Sequence, residues 1–480
     1  MQEGAQTSKR KLTSLSATEM ASAVRTREIS PVSLVDAHLE RISKLNPQLN
    51  AFVHVDFDGA RQQAKTAEAA LDSSAPLGPL HGVPISIKSS IDVAGWPCAC
   101  GSRLRVNYVP ENDAPLVSRL RSAGAILLGN TNAPEFLMAY ETDNRLKGRS
   151  NNPWDLRRTP GGSSGGEAAA IAARCSAGGV GSDGGGSIRV PAHYSGICGL
   201  KPTPGRIPAT GHFPESAGPF ASMGVVGPMA RTINDVKMLF EVMAGPDDGD
   251  PMSAPVPLHP PSEKSLQQLH IGFFEDDGRI PVTRETRAAV QCAAGCLQAK
   301  GYFVEEFVPD ELELVRRIWW NLFGRAGQVA LGSLYEGKEG ELSPILKEFI
   351  GIVRAEPLLT LEEFMNTLIE RDAVRTRFLR QMEKYPILIC PVCAVPAFTH
   401  GERKWEIGGR TVEYLEAMSY CQWFNALGNP AAVVPVGRSP EGLPIGVQVI
   451  GRPYEDEAVL AIAQEIESSC GDLEEPPPLQ

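Results

Sequence analysis

Between Asn130 and Pro228 the chain is dense in glycine, serine and proline, interrupted by one alanine-rich run, Glu167–Arg174, that reads as a helix. A loop-rich stretch of this length inside a compact protein is more often functional than idle. Whatever the chain folds into must present this stretch on a framework built from the residues around it.

The flanking segments read as such a framework. From His81 onward, short apolar runs are broken by glycine and proline. Val83–Ile87 and Ala125–Leu128 predict buried strands, with a helix over Ala114–Ser122 between them. That alternation is the texture of an α/β sheet. Ahead of it, Ala17–Glu28 predicts one helix. Ser30-Pro31 supplies an N-cap and a first-turn proline for a second over Val32–Leu45, whose Val35, Leu39 and Ile42 share a face. After the proline-rich connector Asp250–Ser262 come a strand (Leu269–Phe274), a helix (Thr286–Lys300) and a mostly helical block to Tyr385 that carries Trp319, Trp320 and Phe323. Ile387–Val395, Ala432–Val436 and Ile445–Ile450 predict further strands, and Asp456–Ser468 a closing amphipathic helix.

A length of 480 residues fits two or three average domains, or one large α/β domain with insertions. Strands on both sides of the helical block favour the second. Residues 1–480 then form a single domain, with an N-terminal helical region (1–75), a core carrying the chemistry (76–250), a variable and mostly helical cap (263–385) and a return to the sheet (386–480).

Charge and targeting signals narrow the function classes. A formal net charge of -11 and a pI near 5.4 argue against nucleic acid or an anionic membrane as partner. No export-type apolar segment follows the basic residues near the N-terminus, and no run approaches the roughly 18 consecutive apolar residues of a membrane span. The expectation is a soluble, cytoplasmic enzyme whose ten scattered cysteines are reduced thiols.

Three segments carry the candidate chemistry. His81-Gly-Val-Pro-Ile-Ser-Ile-Lys88 is an apolar strand ending in a lysine. Such a lysine either snorkels to solvent or sits in a partly apolar site, where desolvation lowers its pKa and the neutral amine can act as a general base. Thr159-Pro-Gly-Gly-Ser163-Ser164-Gly-Gly-Glu167 and Gly181-Ser-Asp183-Gly184-Gly185-Gly186-Ser187-Ile-Arg189-Val-Pro191 each place glycines around a serine. There, backbone N–H groups can converge on an oxyanion with no side chains in the way.

Competing motifs fit less well. Gly161-x-Ser163-x-Gly165 has the spacing of a nucleophile elbow, but the polar segment before it, Asp155–Pro160, is no buried strand. Gly179-x-Gly181-x-x-Gly184 has dinucleotide-fingerprint spacing, yet a helix precedes it where a strand is required, and Pro191 follows soon after. Cys390-Pro-Val-Cys393 lies in an apolar strand without a second ligand pair, so it reads as buried structural thiols.

Taken together, these segments resemble the amidase signature family. The resemblance rests on the Gly-Gly-Ser-Ser-Gly-Gly run, on Gly186–Ala192, on Gly199–Arg206 and on the intervals between Lys88, Ser163 and Ser187. It extends through Asn130–Glu135, Asn152–Trp154 and Gly442–Pro453. It implies an α/β fold with a large mixed twisted sheet, covered by helices on both faces and carrying a helical insertion. It also implies roles: Ser187 as nucleophile, Ser163 as a bridging serine joined to Gly162 by a cis peptide bond, and Lys88 as terminal base. A serine hydroxyl is a poor nucleophile until its proton is taken, and the implied relay runs from Ser187 through Ser163 to Lys88. The backbone N–H groups of Gly184, Gly185, Gly186 and Ser187 would hold the oxyanion. Ser164 either joins this network or simply caps a helix, and Asp183 and Arg189 form a pair that holds the loop. No cofactor and no metal is implied.

Ile207–Pro214 is closest in texture to the fatty-acid-amide-hydrolase-like, broad-specificity branch, where Leu137, Met138 and Tyr140 correspond to residues of the acyl channel. Trp319, Trp320 and Phe323 fall in the block that commonly covers the substrate channel, or else pack internally. The implied substrates are small apolar or aryl amides, together with esters and carbamates (urethanes) of the same shape, since one acyl-enzyme route serves all three. A glutamine amidotransferase that works together with a partner protein is the alternative, and a homodimer is the assembly this reading allows. One position departs from the pattern: Gly184 stands where the family generally has threonine or isoleucine, which implies a roomier pocket beside the acyl group.

Overall fold

Strand structure continues into the glycine-rich middle of the chain. The computed structural model, which describes residues 12–73, 76–470 and 475–479, pairs Gly178–Asp183 residue for residue with Val225–Ala230. Glycine is what this strand requires: a Cβ on Gly181 would meet Met229 Sδ and Ser164 Oγ, both at 2.8 Å. Bulky β-formers are therefore excluded where this segment crosses the sheet, and the strand signal disappears from the sequence.

In chain order the strands are β1 (Phe52–Val55), β2 (Pro84–Lys88), β3 (Ile126–Thr131), β4 (Gly178–Asp183), β5 (Cys198–Lys201), β6 (Val225–Ala230), β7 (His270–Phe273), β8 (Phe303–Glu306), β9 (Ile387–Pro391), β10 (Lys404–Ile407), β11 (Arg410–Glu413), β12 (Ala431–Arg438) and β13 (Pro444–Ile450). β10 and β11 make a separate hairpin. The other eleven form one mixed sheet in the order β1-β3-β2-β4-β6-β5-β12-β13-β9-β7-β8. β2 runs parallel to β3 and β4, and β7 to β8 and β9. Because β12, β13 and β9 lie between β5 and β7, the C-terminal segment completes the middle of the sheet, and the helical block between β8 and β9 is an excursion from it.

The helices that bear on the site are α1 (Pro31–Leu49), α2 (Gly165–Ala172), α3 (Arg189–Ser195), α4 (Arg284–Ala299), α5 (Leu312–Trp319), α6 (Pro344–Arg354), α7 (Leu361–Gln381), α8 (Ser419–Leu427) and α9 (Asp456–Cys470). α1 starts as its sequence predicts, with Ser30 Oγ accepting the Val32 and Ser33 N–H groups. It runs on to Leu49, because Leu45 and Leu49 continue its buried face. The period of two along β12 builds a separate core on each sheet face. Ala432 and Val434 join Val290, Ala293 and Leu297 of α4 and Ile462 and Ile466 of α9. Ala431 and Val433 join Val190 and Tyr194 of α3 and Trp423 of α8.

Two elements in the second half depart from expectation. The segment after Lys300 opens with β8, an edge strand whose sequence Phe-Val-Glu-Glu is too short and polar to stand out. Within the block, residues Trp320–Ala326 form a π-helical turn between α5 and the next helix, a form that recurs at functional sites. Among the described residues no helix is long and apolar enough to cross a membrane.

Candidate active site

Lys88 is the last residue of β2, at the centre of three parallel strands, and it is fully buried. It does not snorkel. Its Nζ lies 2.7 Å from Ser163 Oγ, 2.9 Å from Ser164 Oγ and 3.0 Å from Ser182 Oγ. Among the described residues its hydrogen-bond partners are three hydroxyls and no carboxylate, so burial prevails and brings its pKa down to about 7, with Cys100, Asp183 and Glu167 pulling the other way.

Ser163 sits on the loop that enters α2, and the Gly162–Ser163 peptide bond is cis. No side chain fits at Gly162, where a Cβ would meet Ala139 O at 2.5 Å. Ser164 occupies the N-cap position of α2 but makes no capping bond. Its hydroxyl accepts from Lys88 and donates to the Ser182 carbonyl at 3.3 Å instead. Beneath the lysine, Glu167 in the first turn of α2 accepts from Ser86 Oγ and from Thr131 Oγ1 (2.6 Å), linking β2 and β3 to the helix. Burial pushes this carboxyl up to about 7.

Ser187 lies between β4 and α3; it is partly exposed where Lys88 and Ser163 are buried, and it borders two cavities, the second of which Ser163 also lines. The turn that carries it is tied to Asp183, whose carboxylate takes Gly186 N–H at 2.7 Å and Ile188 N–H at 3.1 Å. Arg189 closes a bidentate pair on the same carboxylate at 2.9 and 3.0 Å and also binds Gln448 at 3.1 Å. Asn425 of α8 donates to Asp183 Oδ1 at 3.0 Å. Burial alone would raise the Asp183 pKa; the Arg189 guanidinium beside it outweighs that and holds the carboxyl well below the usual range. The dinucleotide spacing is thus explained otherwise: Gly179 and Gly181 lie inside β4, and Pro191 is tolerated in the first turn of α3, where its missing N–H has no intrahelical partner to lose.

Gly186 cannot serve as an oxyanion donor here, because its N–H is committed to Asp183. The N–H groups of Gly184, Gly185 and Ser187 donate to no backbone acceptor among the described residues. Two aromatic residues orient this turn. Trp319 Nε1 donates to the Gly184 carbonyl at 2.9 Å, and Tyr140 OH donates to the Gly185 carbonyl at 2.8 Å. In a planar trans peptide the N–H points away from the C=O. Trp319 therefore aims Gly185 N–H away from itself, and Tyr140 aims Gly186 N–H at Asp183. Glycine is mandatory at 185, where a Cβ would lie 2.6 Å from Trp319 Cζ2.

Two cavities meet at Ser187. The first is walled by Tyr140, Trp319, Phe349, Ile352, Tyr414 and Leu415. The second is walled by Ser163, His212, Pro214, Glu215, Phe220 and Val226. Leu137, Met138 and Phe323 border both. The expected room beside Gly184 is filled: Phe323 stacks on Trp319 with ring centroids 4.8 Å apart, and a Cβ on Gly184 would lie 2.8 Å from Phe323 Cε2. Trp320 lines neither cavity; it points outward, and its Nε1 donates to Glu356 Oε1 at 2.7 Å. Trp319 and Phe323, four residues apart, share a helix face that the adjacent Trp320 cannot. Cys390 and Cys393 are buried free thiols.

Several wall residues escaped the sequence reading. Phe349 and Ile352 are visible only as part of an ordinary apolar helix face in α6. Tyr414 follows a hairpin that sequence texture did not suggest. His212 belongs to Ile207–Pro214, and nothing in that run of sequence singles it out. Its Nδ1 is 2.9 Å from the Pro214 carbonyl, its Nε2 has no protein partner among the described residues, and burial lowers its pKa to about 4, so the ring is neutral.

The model of the Amidase family matches residues 33–460. An indoleacetamide hydrolase of Bradyrhizobium diazoefficiens is 36% identical over 95% of this chain and 87% of its own length. A glutamyl-tRNA(Gln) amidotransferase polypeptide of Methylacidiphilum infernorum is 31% identical over 98% and 97%. The crystal structure of a bacterial aryl acylamidase superposes with a TM-score of 0.83 at 28% identity, covering 95% of this chain and 96% of that one.

Proposed function

The chain belongs to the amidase family and is an amide-hydrolysing enzyme, and from that premise we propose that Ser187 attacks the substrate carbonyl while Lys88 takes its proton through Ser163. The buried lysine among three hydroxyls carries this reading. An ammonium has three donors and no acceptor, whereas a neutral amine has two N–H groups and a lone pair. The neutral form can donate to Ser164 and Ser182 and accept from Ser163, whose oxygen is then ready to receive the Ser187 proton. With its pKa near 7, Lys88 can both take that proton and give it back.

The steps follow. Ser187 Oγ adds to the carbonyl carbon, and the developing oxyanion rests on the N–H groups of Gly184, Gly185 and Ser187. The C–N bond breaks as the relay returns the proton to the leaving nitrogen, which leaves an acyl-enzyme on Ser187. Water then attacks along the same relay and releases the acid.

The cavity walls support apolar or aryl substrates, with the acyl part in the cavity of Tyr140 and Trp319 and the leaving group in that of His212. With Nδ1–H given to Pro214, His212 Nε2 offers an acceptor on the leaving-group side, suited to the N–H of an anilide or carbamate. Aryl esters and carbamates are included, since each presents the same carbonyl to Ser187. A glutamine amidotransferase working with a partner protein is the alternative, supported by the similarity to the glutamyl-tRNA(Gln) amidotransferase polypeptide. Against it, among the described residues neither cavity is lined by an arginine or lysine that could pair with the α-carboxylate of glutamine.

A panel of aryl amide, aryl ester, aryl carbamate and glutamine, run beside Ser187→Ala, tests the reading. Turnover of the aryl substrates that is lost in Ser187→Ala is expected. Turnover that survives the substitution would overturn the mechanism, and turnover of glutamine alone would move the chain to the amidotransferase class.

A further inference from the structure

Far from Ser187 in the fold, three thiols converge. Cys292 and Cys296 lie one turn apart on α4, and Cys470 is the last residue of α9. All three sulfur atoms lie within 4.8 Å of one another, and Cys296 Sγ and Cys470 Sγ are 3.5 Å apart. The pair is separated by 174 residues, so no sequence motif announces it. Lys300, at the C-terminal end of α4, bonds to Glu465 and, at 2.7 Å, to Ser468 Oγ of α9, and so pins the same two helix ends together. α4 and α9 pack on the sheet face of Ala432 and Val434, opposite the face that carries α3 behind Ser187.

We propose that Cys292, Cys296 and Cys470 form a binding site for one thiophilic cation of the Zn(II), Cd(II) and Cu(I) class, held by three thiolates at the α4–α9 junction. The donor set is entirely sulfur, which selects soft ions over Mg(II) or Ca(II). Zinc–thiolate bonds of about 2.3 Å place tetrahedral sulfurs roughly 3.8 Å apart. The present spacing, from 3.5 Å to within 4.8 Å, brackets that value, so side-chain rotation suffices to close the site. Cys292 is exposed, which opens an entry path and leaves a fourth position to water, while Cys296 and Cys470 are half-buried. The other seven cysteines are buried and do not offer a competing accessible cluster.

Binding breaks three S–H bonds, forms three metal–sulfur bonds and releases three protons to solvent; no electron is transferred. Because each thiol must lose its proton to bind the ion, occupancy rises with pH. A bound ion would fasten the last helix of the fold to α4 without touching the hydrolytic site.

The test uses the full chain, reduced and freed of metal, titrated with Cd(II) while thiolate-to-metal charge-transfer absorbance is recorded, and with Zn(II) by calorimetry. One equivalent should bind, with at least tenfold weaker binding in Cys292→Ser and at least 100-fold weaker in Cys296→Ser. Retained aryl-ester hydrolysis in both variants reports that they fold. Failure to retain one equivalent after desalting would sink the proposal. So would equal affinity in Cys296→Ser, or a Cys296–Cys470 disulfide in the isolated protein whose reduction brings no metal uptake.

Discussion

The sheet-borne loops around Lys88 and the helical block around Trp319 meet at Gly184, and they are built in opposite ways. The loops work by subtraction. Glycines at 162, 181 and 185 remove side chains so that backbone and serine hydroxyls can close on a lysine with no access to water. The block works by addition, filling the space the glycines leave with the rings of Trp319 and Phe323. In the proposed mechanism, chemistry depends on the first region and substrate shape on the second. The Trp319 bond to the Gly184 carbonyl means the block also orients the turn that carries Ser187. A cap that only covered the pocket would have no such contact.

The largest expected effect falls on the loops. Lys88→Ala removes the only base in the proposed relay and should lower kcat/KM for an aryl amide by roughly 1,000- to 10,000-fold, with thermal unfolding followed in parallel to show that the variant is folded. The same lysine sets the pH profile. It must be neutral to accept a proton, and its pKa is brought down to about 7. Below that value kcat/KM should fall about tenfold per pH unit, and above it should level off. A profile flat between pH 5 and 8 (roughly) would remove Lys88 from the base role.

The same contrast explains what could be read from sequence. Lys88, Ser163, Ser187, Asp183 and Arg189 were legible because they sit in or beside local runs of glycine and serine; the structure joins Lys88 to Ser163 and Arg189 to Asp183, and leaves Ser187 at the edge of the cavities. The commitment of Gly186 N–H to Asp183 was not legible, since it depends on which way each peptide plane turns. In the block, Trp319 and Trp320 are indistinguishable as sequence. Only the helical phase separates the one that touches Gly184 from the one that touches Glu356. β4 was missed for a related reason: a strand made of glycine to admit Ser164 and Met229 has lost the residues that announce strands. The cysteine trio was invisible because its members come from two helices far apart in the chain.

An intermediate effect tests whether the block acts on chemistry. Trp319→Phe keeps an aromatic ring against Phe323 but deletes the N–H that holds the Gly184 carbonyl. One hydrogen bond of this kind contributes about 1 kcal/mol, so kcat should drop about fivefold to tenfold while KM stays within about twofold. A change confined to KM would make Trp319 a wall residue only and restore the simple division between the two regions.

Gly184 can be used to shift the boundary between them. Gly184→Ala places a Cβ 2.8 Å from Phe323 Cε2, and a rigid ring can yield only by moving as a whole. Loss of about fivefold in kcat/KM on a bulky aryl acyl substrate is expected, with little change on an acetyl substrate. Adding Phe323→Leu should restore the rate to within about twofold, because residues in contact couple non-additively by 0.5–3 kcal/mol or so. If the two substitutions simply add, the glycine is not there to seat the ring.

The smallest effect is expected one residue from the intermediate one. Trp320 packs against Phe349 with ring centroids 6.2 Å apart and donates to the Glu356 carboxylate, on the outer side of the turn. Trp320→Phe should therefore leave kcat and KM within about twofold and lower stability by about 1 kcal/mol, the contribution of one partly exposed hydrogen bond. The comparison with Trp319→Phe is internal: same residue type, same substitution, adjacent positions, and roughly 100° of helical rotation between them. If both variants lost kcat equally, the rotation that separates them would not matter, and the turn would be acting through its overall stability and not through the Trp319 contact with the Ser187 loop.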